Sequence, residues 1–200
     1  MRIVFASDNE HKYLEISAAL ESSEIYIIPQ RKFSVSNVEE TGKTFVENAI
    51  LKARNASQKS GLPALADDSG LVVDALGGRP GVRSARFAGK EASDGDNIEK
   101  LLEEMSDCTV LRRSCHFICV LVFLQSADDP MPKITEGLWR GTILFSEIMQ
   151  DGFGYDSVFF DTEVGKVASQ MTRVEKNALS HRGKAIKKMK KFLIDQRSDE

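Results

Sequence analysis

The run Cys115 to Leu124, CHFICVLVFL, limits what this chain can fold into more than any other stretch. Beyond His116 it is apolar at both odd and even positions, so a strand made from it must be covered on both faces. Its longest unbroken apolar part, Phe117 to Leu124, has eight residues, far short of the roughly 20 that a membrane helix needs. A strand of this kind belongs in the centre of a sheet with helices packed on it. Lys133 to Leu144, carrying Trp139 and Gly141, is expected to pair with it across the polar loop Gln125 to Pro132. With helical patterns elsewhere in the chain, the expectation is an α/β fold with a mixed sheet.

The chain has 200 residues, 42 % of them hydrophobic, which is enough for a proper core. One domain over 1–200 is expected, with room for two lobes around a cleft. The formal net charge of −3, with no basic stripe, argues against a general nucleic-acid coat. No run reaches transmembrane length, and MRIVFASDNE lacks the long apolar segment of a signal peptide, so a cytoplasmic protein with no membrane partner is expected. Cys115 and Cys119 on one strand face would lie about 13 Å apart, too far for a disulfide. With Cys108 they read as reduced thiols, and no zinc-ligand spacing is present.

From the N-terminus, Arg2 to Ala6 reads as a buried strand running into Ser7, Asp8, Asn9, Glu10, His11 and Lys12 and then a helix. Tyr13, Ile16 and Leu20 have helical spacing, and Ser7 with Glu10 has the form of a capping box. A strand, a polar turn and a helix N-terminus offer free N–H groups to an anion. Lys12 in the first turn is unfavourable for the helix dipole, so it either serves a ligand or is solvated. Glu24 to Pro29 reads as a second strand. Thr44 and Glu47 form another capping box, opening a helix to about Ser60 with Phe45, Ala49, Ala53 and Ala56 inside. Asn48, Lys52, Asn55 and Lys59 form a polar stripe, which is either a solvated face or the wall of a site. Ser93 to Met105 reads as a capped helix. In DGFGYDSVFF, Asp151 to Phe160, aromatic faces and bare N–H groups sit together, which suits a flat base or a core-packed turn. Ser180, His181, Arg182 and Gly183 precede a last helix with Ile186, Met189 and Leu193 inside, a solvated Lys face outside, and a fraying tail from Asp195.

The residues 64 to 89, ALADDSGLVVDALGGRPGVRSARFAG, carry the chemistry. Two short apolar runs flank Asp67, Asp68, Ser69 and Gly70, and read as strands joined by a turn. Two carboxylates at the end of a buried strand are costly unless a divalent cation or a Lys/Arg cluster meets them. Arg79, Arg83 and Arg86 follow and could grip an anion. The other reading is a tight turn capped by Asp and Ser.

Taken in order, SDNEHK, EETGKTFVENAILKA, ADDSGLVVDALGGRPGVRSARF, GFGYD and EKNALSHRGKA resemble the inosine and xanthosine triphosphate pyrophosphatase family over nearly the whole chain. The resemblance implies a homodimer of elongated two-lobed α/β subunits built on a long mixed sheet, with an active-site cleft between the lobes. It implies magnesium-dependent hydrolysis of non-standard purine nucleoside triphosphates (ITP, dITP, XTP) to the monophosphate and pyrophosphate. By position, it gives Ser7, Asp8, Asn9, Glu10, His11 and Lys12 to the triphosphate, Lys52 to phosphate, and Asp68 to catalysis and the metal. Ser69 and Arg86 fall at substrate-contacting positions. Glu39 or Glu40 matches a second metal-linked acid, and Phe153, Gly154, Tyr155 and Asp156 match a base-binding loop. Lys176, His181 and Arg182 match further substrate positions; a donor to the six-position oxygen of the base could come from the His181–Arg182 pair or from a loop N–H. The chain departs from the family pattern at Asp8, where Gly is usual, and at Ser157, where Pro is usual.

This fits the residue chemistry. Lys12, Lys52, Lys176 and a magnesium ion would neutralise a triphosphate, and a metal-linked carboxylate at Asp68 could position and deprotonate water. Glu39, Glu40, Asp67 and Asp68 are all present, which favours an enzyme over a nucleotide-binding protein without turnover.

Overall fold

The computed structural model describes residues 1–148 and 150–198, and the chain forms two compact units. The first comprises Met1–Asp68, Cys119–Gly137 and the chain from Arg182; the second comprises Ser69–Ile118 and Leu138–His181. The elements in order are β1 (Arg2–Phe5), α1 (Glu10–Leu20), β2 (Tyr26–Pro29), α2 (Phe45–Ser60), β3 (Ala64–Val73), α3 (Asp94–Glu104), β4 (Ser114–Leu124), β5 (Lys133–Ile143), β6 (Phe159–Asp161), β7 (Lys166–Val167), α4 (Arg173–Leu179) and α5 (His181–Ser198). The seven strands are hydrogen-bonded in the order β2-β1-β3-β4-β5-β6-β7. β1 is parallel to both β2 and β3, while β6 is antiparallel to β5 and β7, so the sheet is mixed as expected.

β4 is the middle strand of the seven and is buried on both sides from Cys119 onward. β5 alternates, with Thr135, Gly137 and Trp139 buried and Glu136, Leu138 and Arg140 exposed. In the first unit, Ile3 and Phe5 of β1 and Cys119, Leu121 and Phe123 of β4 pack with Ile16 and Leu20 of α1 and Ile186, Met189 and Leu193 of α5. In the second, Cys115 and Phe117 pack with Leu71, Ile98, Leu101, Trp139 and Phe159. All three cysteines are free.

The helices α2, α3 and α4 open on capping boxes, Thr44 with Glu47, Ser93 with Asp96, and Thr172 with Glu175; the first pair and the cap at Ser93 are the ones the sequence leads one to expect. Four expectations are corrected. The cap of α1 is Asn9, whose side chain accepts from Lys12 N–H at 3.0 Å, while Ser7 Oγ accepts from Asn9 N–H. Glu10 is then free to pair with Arg31 instead. Residues 64–73 form one continuous strand, so Asp67, Asp68 and Ser69 lie mid-strand and not in a turn. A one-sided alternation could not reveal this, because nearly every residue of β3 is buried. His181, Arg182 and Gly183 form the first turn of α5, and α5 runs on past Asp195 to Ser198; the rest of the tail, Asp199 and Glu200, lies outside the described residues. Among the described residues no helix is long and apolar enough to cross a membrane.

Candidate active site

In the first unit, β3 carries Asp67 and Asp68 side by side, and alternation along a strand sends their side chains to opposite faces. Each face meets different partners. Asp67 is wholly buried, with Oδ1 2.6 Å from Lys12 Nζ and Oδ2 2.7 Å from Arg182 Nε. The Cys119 thiol also donates to Oδ2, at 3.4 Å. Arg182 is itself buried and reaches Glu15 through Nη1 at 2.6 Å. Burial alone would make the guanidinium easier to deprotonate, but Asp67 and Glu15 outweigh it and hold Arg182 more firmly charged. Both oxygens of Asp67 are therefore engaged by cations, and its role is to hold Lys12 and Arg182.

Asp68 has a different environment. Its Oδ1 lies 2.6 Å from Lys52 Nζ, which also donates to Asp67 O at 2.9 Å and to Glu40 Oε1 at 3.0 Å. Its Oδ2 faces the Asn48 amide at 3.5 Å. Burial pushes the Asp68 carboxyl above the usual carboxylate range, and the pull of Lys52 and Lys12 only partly reverses this. Burial works against the Lys52 charge too, but Asp68 and Glu40 outweigh it and raise the ammonium. Helix periodicity explains the placement: Asn48 and Lys52 are one turn apart on α2, so they share a face. The polar stripe of α2 thus divides, with Asn48 and Lys52 turned to β3 while Lys59 is exposed.

Glu40 rather than Glu39 meets Lys52; Glu39 is exposed. Magnesium is usually held through one or two carboxylates together with substrate phosphates and water. Asp68 and Glu40, both within reach of one ammonium, are a hard-oxygen donor set of that size. Among the described residues no group of three or more His, Cys, Asp or Glu side chains is placed to hold a metal by itself. An ion here would take its other ligands from phosphate and water.

The loop before α1 leaves Ser7 half-buried and Asp8, Asn9, Glu10 and His11 exposed. Asp8 Oδ1 accepts from Gln30 Nε2 at 3.0 Å, and Gln30 also donates to Asn37. Lys12 was expected to answer either a ligand or solvent; it meets Asp67.

The second unit carries the other expected residues. Asp156 is buried and accepts from Phe153 N–H at 3.0 Å and from the Lys176 ammonium. Lys176 also lies over the Phe153 ring, 4.5 Å from its centroid. Gly152 is required here, since a Cβ would stand 2.7 Å from Asp156 Oδ2. Gly154 N–H donates to Asp94 at 2.6 Å. Tyr155 is buried, its hydroxyl donating to Ser84 O at 2.8 Å, and burial pushes that phenol well up. Its ring therefore belongs to the core, which leaves Phe153 as the half-exposed aromatic of the loop. His181 stacks on Phe117, 4.8 Å between centroids and 13° apart in plane. Ser69 lies in β3 and Arg86 at the end of the short 3₁₀ helix Gly81–Arg86, both half-buried. Of the other two arginines, Arg79 pairs with Glu104 and Arg83 is exposed.

Sequence reasoning missed Glu15, Cys119, Gln30 and the role of Asn48. Glu15 carries no distinctive signal, since it meets Arg182 only through the fold. Asn48 did carry one, its helical spacing from Lys52.

The description Ham1 family matches residues 3–192. The chain is 50 % identical over 186 residues to the dITP/XTP pyrophosphatase of Pectobacterium atrosepticum, covering 93 % of this chain and 94 % of that one. It is 48 % identical over 194 residues to the dITP/XTP pyrophosphatase of Yersinia pseudotuberculosis, covering 97 % and 98 %. Among solved structures, a HAM1 protein from Coxiella burnetii superposes with a TM-score of 0.92 at 45 % identity, covering 98 % of this chain and 99 % of that one. The Staphylococcus aureus Ham1 protein gives 0.87 at 36 %, covering 98 % and 100 %. Sequence and fold agree over essentially the full length, and the chain belongs to the Ham1 family.

Proposed function

We propose that this protein hydrolyses non-standard purine nucleoside triphosphates (ITP, dITP, XTP) to the monophosphate and pyrophosphate, with magnesium. The observation that carries the reading is the Lys52 ammonium touching both Asp68 and Glu40 beside the Lys12–Asp67 pair. Acids suited to a metal and bases suited to phosphate stand together there, in a chain about half identical to enzymes named dITP/XTP pyrophosphatase.

Lys12 and Lys52 bind the phosphates, with the loop Ser7, Asp8, Asn9, Glu10 and His11 at the N-terminus of α1. A magnesium ion on Asp68 and Glu40 would supply charge neutralisation and polarise the phosphoryl oxygens. Asp68 positions the attacking water and takes its proton. Burial raises the Asp68 pKa, which makes the carboxylate a stronger base than an exposed one. Ser69 and Arg86 contact substrate.

Phe153, Gly154, Tyr155, Asp156 and Lys176 form the base-binding part, with the Phe153 face for stacking. Tyr155 supports the loop from the core, through its bond to Ser84. His181 and Arg182 are assigned to the base. A donor aimed at the six-position oxygen leaves adenine with an unmet pair, and such reading can discriminate by about 10⁴-fold or more. The family description spans both units, which supports their working as one domain. A homodimer in the cytoplasm belongs to the same proposal.

The test is incubation of the purified protein with ITP, XTP and ATP, with and without magnesium, and chromatography of the products. IMP with pyrophosphate, formed only with magnesium, is expected. IDP with orthophosphate would refute the assigned bond cleavage.

A further inference from the structure

Asn48 is wholly buried on α2, and a buried amide needs partners for both its oxygen and its nitrogen. Its Oδ1 accepts from Gly42 N–H at 2.8 Å. A backbone N–H can only donate, so this bond fixes the orientation of the amide. The nitrogen is then left facing Asp68 Oδ2, at 3.5 Å. An ionised carboxylate can only accept, so donor and acceptor match.

Gly42 shows how closely the loop is pressed on this amide. Its backbone is not left-handed, so conformational freedom is not what demands glycine there. A Cβ at Gly42 would stand 2.7 Å from Asn48 Oδ1 and 2.7 Å from Glu47 Cβ. Gly42 follows Glu40 by two residues, so holding its N–H restricts where the Glu40 carboxylate can go. The same amide therefore touches Asp68 directly and anchors the loop that carries Glu40.

Lys52 gathers both carboxylates, but an ammonium is a point charge with rotatable donors and does not set a plane. A neutral amide supplies direction without competing for the carboxylate as a second cation would. We propose that Asn48 is a positioning residue, fixing the relative placement of Asp68 and Glu40 for the metal. This rests on the assignment of those two acids to magnesium made above.

Two variants test it, from opposite sides of the contact. Asn48→Leu keeps the size and removes both hydrogen bonds. Gly42→Ala leaves the amide in place and pushes a methyl into it from a half-buried loop. For each, three quantities are measured: the magnesium concentration that half-saturates the rise in melting temperature, the magnesium dependence of ITP turnover, and ITP affinity by calorimetry in EDTA. Removing a partner that orients a metal ligand typically costs about 10- to 100-fold in metal affinity or activity. Both magnesium midpoints should rise by about that factor, with kcat reduced, while ITP affinity in EDTA stays within about threefold. A merely structural role would lower the melting temperature and leave the magnesium midpoints alone.

If Asn48→Leu does not fold, Gly42→Ala decides. A folded variant with wild-type magnesium midpoints in both melts and turnover overturns the inference. Asp68→Asn is measured alongside. If it retains turnover and magnesium response within a few-fold of wild type, the metal assignment has failed. If it loses them while the Asn48 and Gly42 variants do not, only the inference about Asn48 has failed.

Discussion

Neighbouring aspartates on one strand should respond in opposite ways to the same substitution. Asp67→Asn removes the charge that holds Lys12 and Arg182. Arg182 is 3 % exposed and loses one of its two carboxylate ion pairs, keeping Glu15, while Lys12 loses its Asp67 carboxylate. Breaking a buried ion pair from one side costs about 3–5 kcal/mol, because the remaining charge stays buried without its partner. For a chain of this size a kcal/mol moves the melting temperature by about 2–4 °C, so Asp67→Asn should melt about 6–20 °C below wild type.

Asp68→Asn should not. The folded pKa of Asp68 is raised by burial, net of the attraction to Lys52 and Lys12. A carboxyl with a raised folded pKa binds its proton more tightly folded than unfolded. The contribution of its ionisation to stability is therefore unfavourable above the unfolded pKa, near 4, and grows until pH passes the folded value. At pH 7 the neutral amide removes that cost, and Lys52, which loses the Asp68 charge, keeps Glu40 and Asp67 O, so the melting temperature should stay near that of wild type. Circular-dichroism melts of both variants at pH 7, with urea midpoints at 25 °C, make the comparison. Equal losses in the two variants would refute the division of labour, and a larger loss for Asp68→Asn would reverse it.

Other outcomes follow from the same contacts. Asp68→Asn, though folded, should lose about 10²- to 10⁴-fold in kcat for ITP, the scale of general-base catalysis, with a smaller change in nucleotide affinity measured in EDTA. Arg182→Ala should lower the melting temperature, since it takes the guanidinium from Glu15 and leaves Asp67 with one cation fewer in a buried site. It should also lower kcat/KM for ITP more than for ATP, and equal factors would remove Arg182 from base reading. Asp8→Gly takes a negative charge from the phosphate loop and should lower the KM for ITP, more so at low salt. The Lys166 and Thr172 hydrogen bonds hold the Glu175 carboxyl down at about 2. Its contribution to stability is present above the unfolded value near 4 and is lost as pH falls towards 2. Glu175→Gln should therefore narrow the gap to wild type in acid melts, and a gap independent of pH would exclude this linkage.

The parts of the fold that were legible are those written in local pattern. β4 shows itself by being apolar on both faces, and α2 and α3 by their caps at Thr44 and Ser93, because a cap is a contact between residues three apart. In β3 the local pattern points to two strands and a turn, because Asp, Asp, Ser and Gly carry turn propensity. That propensity was overridden by Lys12, Lys52 and Arg182, none of them near it in sequence. The cap of α1 slipped for a related reason: Ser7 and Asn9 are both good caps, and only the bond from Lys12 N–H selects Asn9.

The site divides along the same line. Charge cost in a buried strand requires that cations meet Asp67 and Asp68, and that requirement could be stated from β3 alone. Which cation meets which acid could not. Strand alternation sends two adjacent carboxylates to different faces, so one is committed to Lys12 and Arg182 while the other shares Lys52 with Glu40. An acid held on both oxygens by cations is poorly placed to accept a metal or a proton. An acid whose second oxygen faces a neutral amide at 3.5 Å is well placed for both. The difference between a structural and a chemical aspartate in this protein thus lies in partners supplied by α1, α2 and α5, and the adjacent residues of β3 do not encode it.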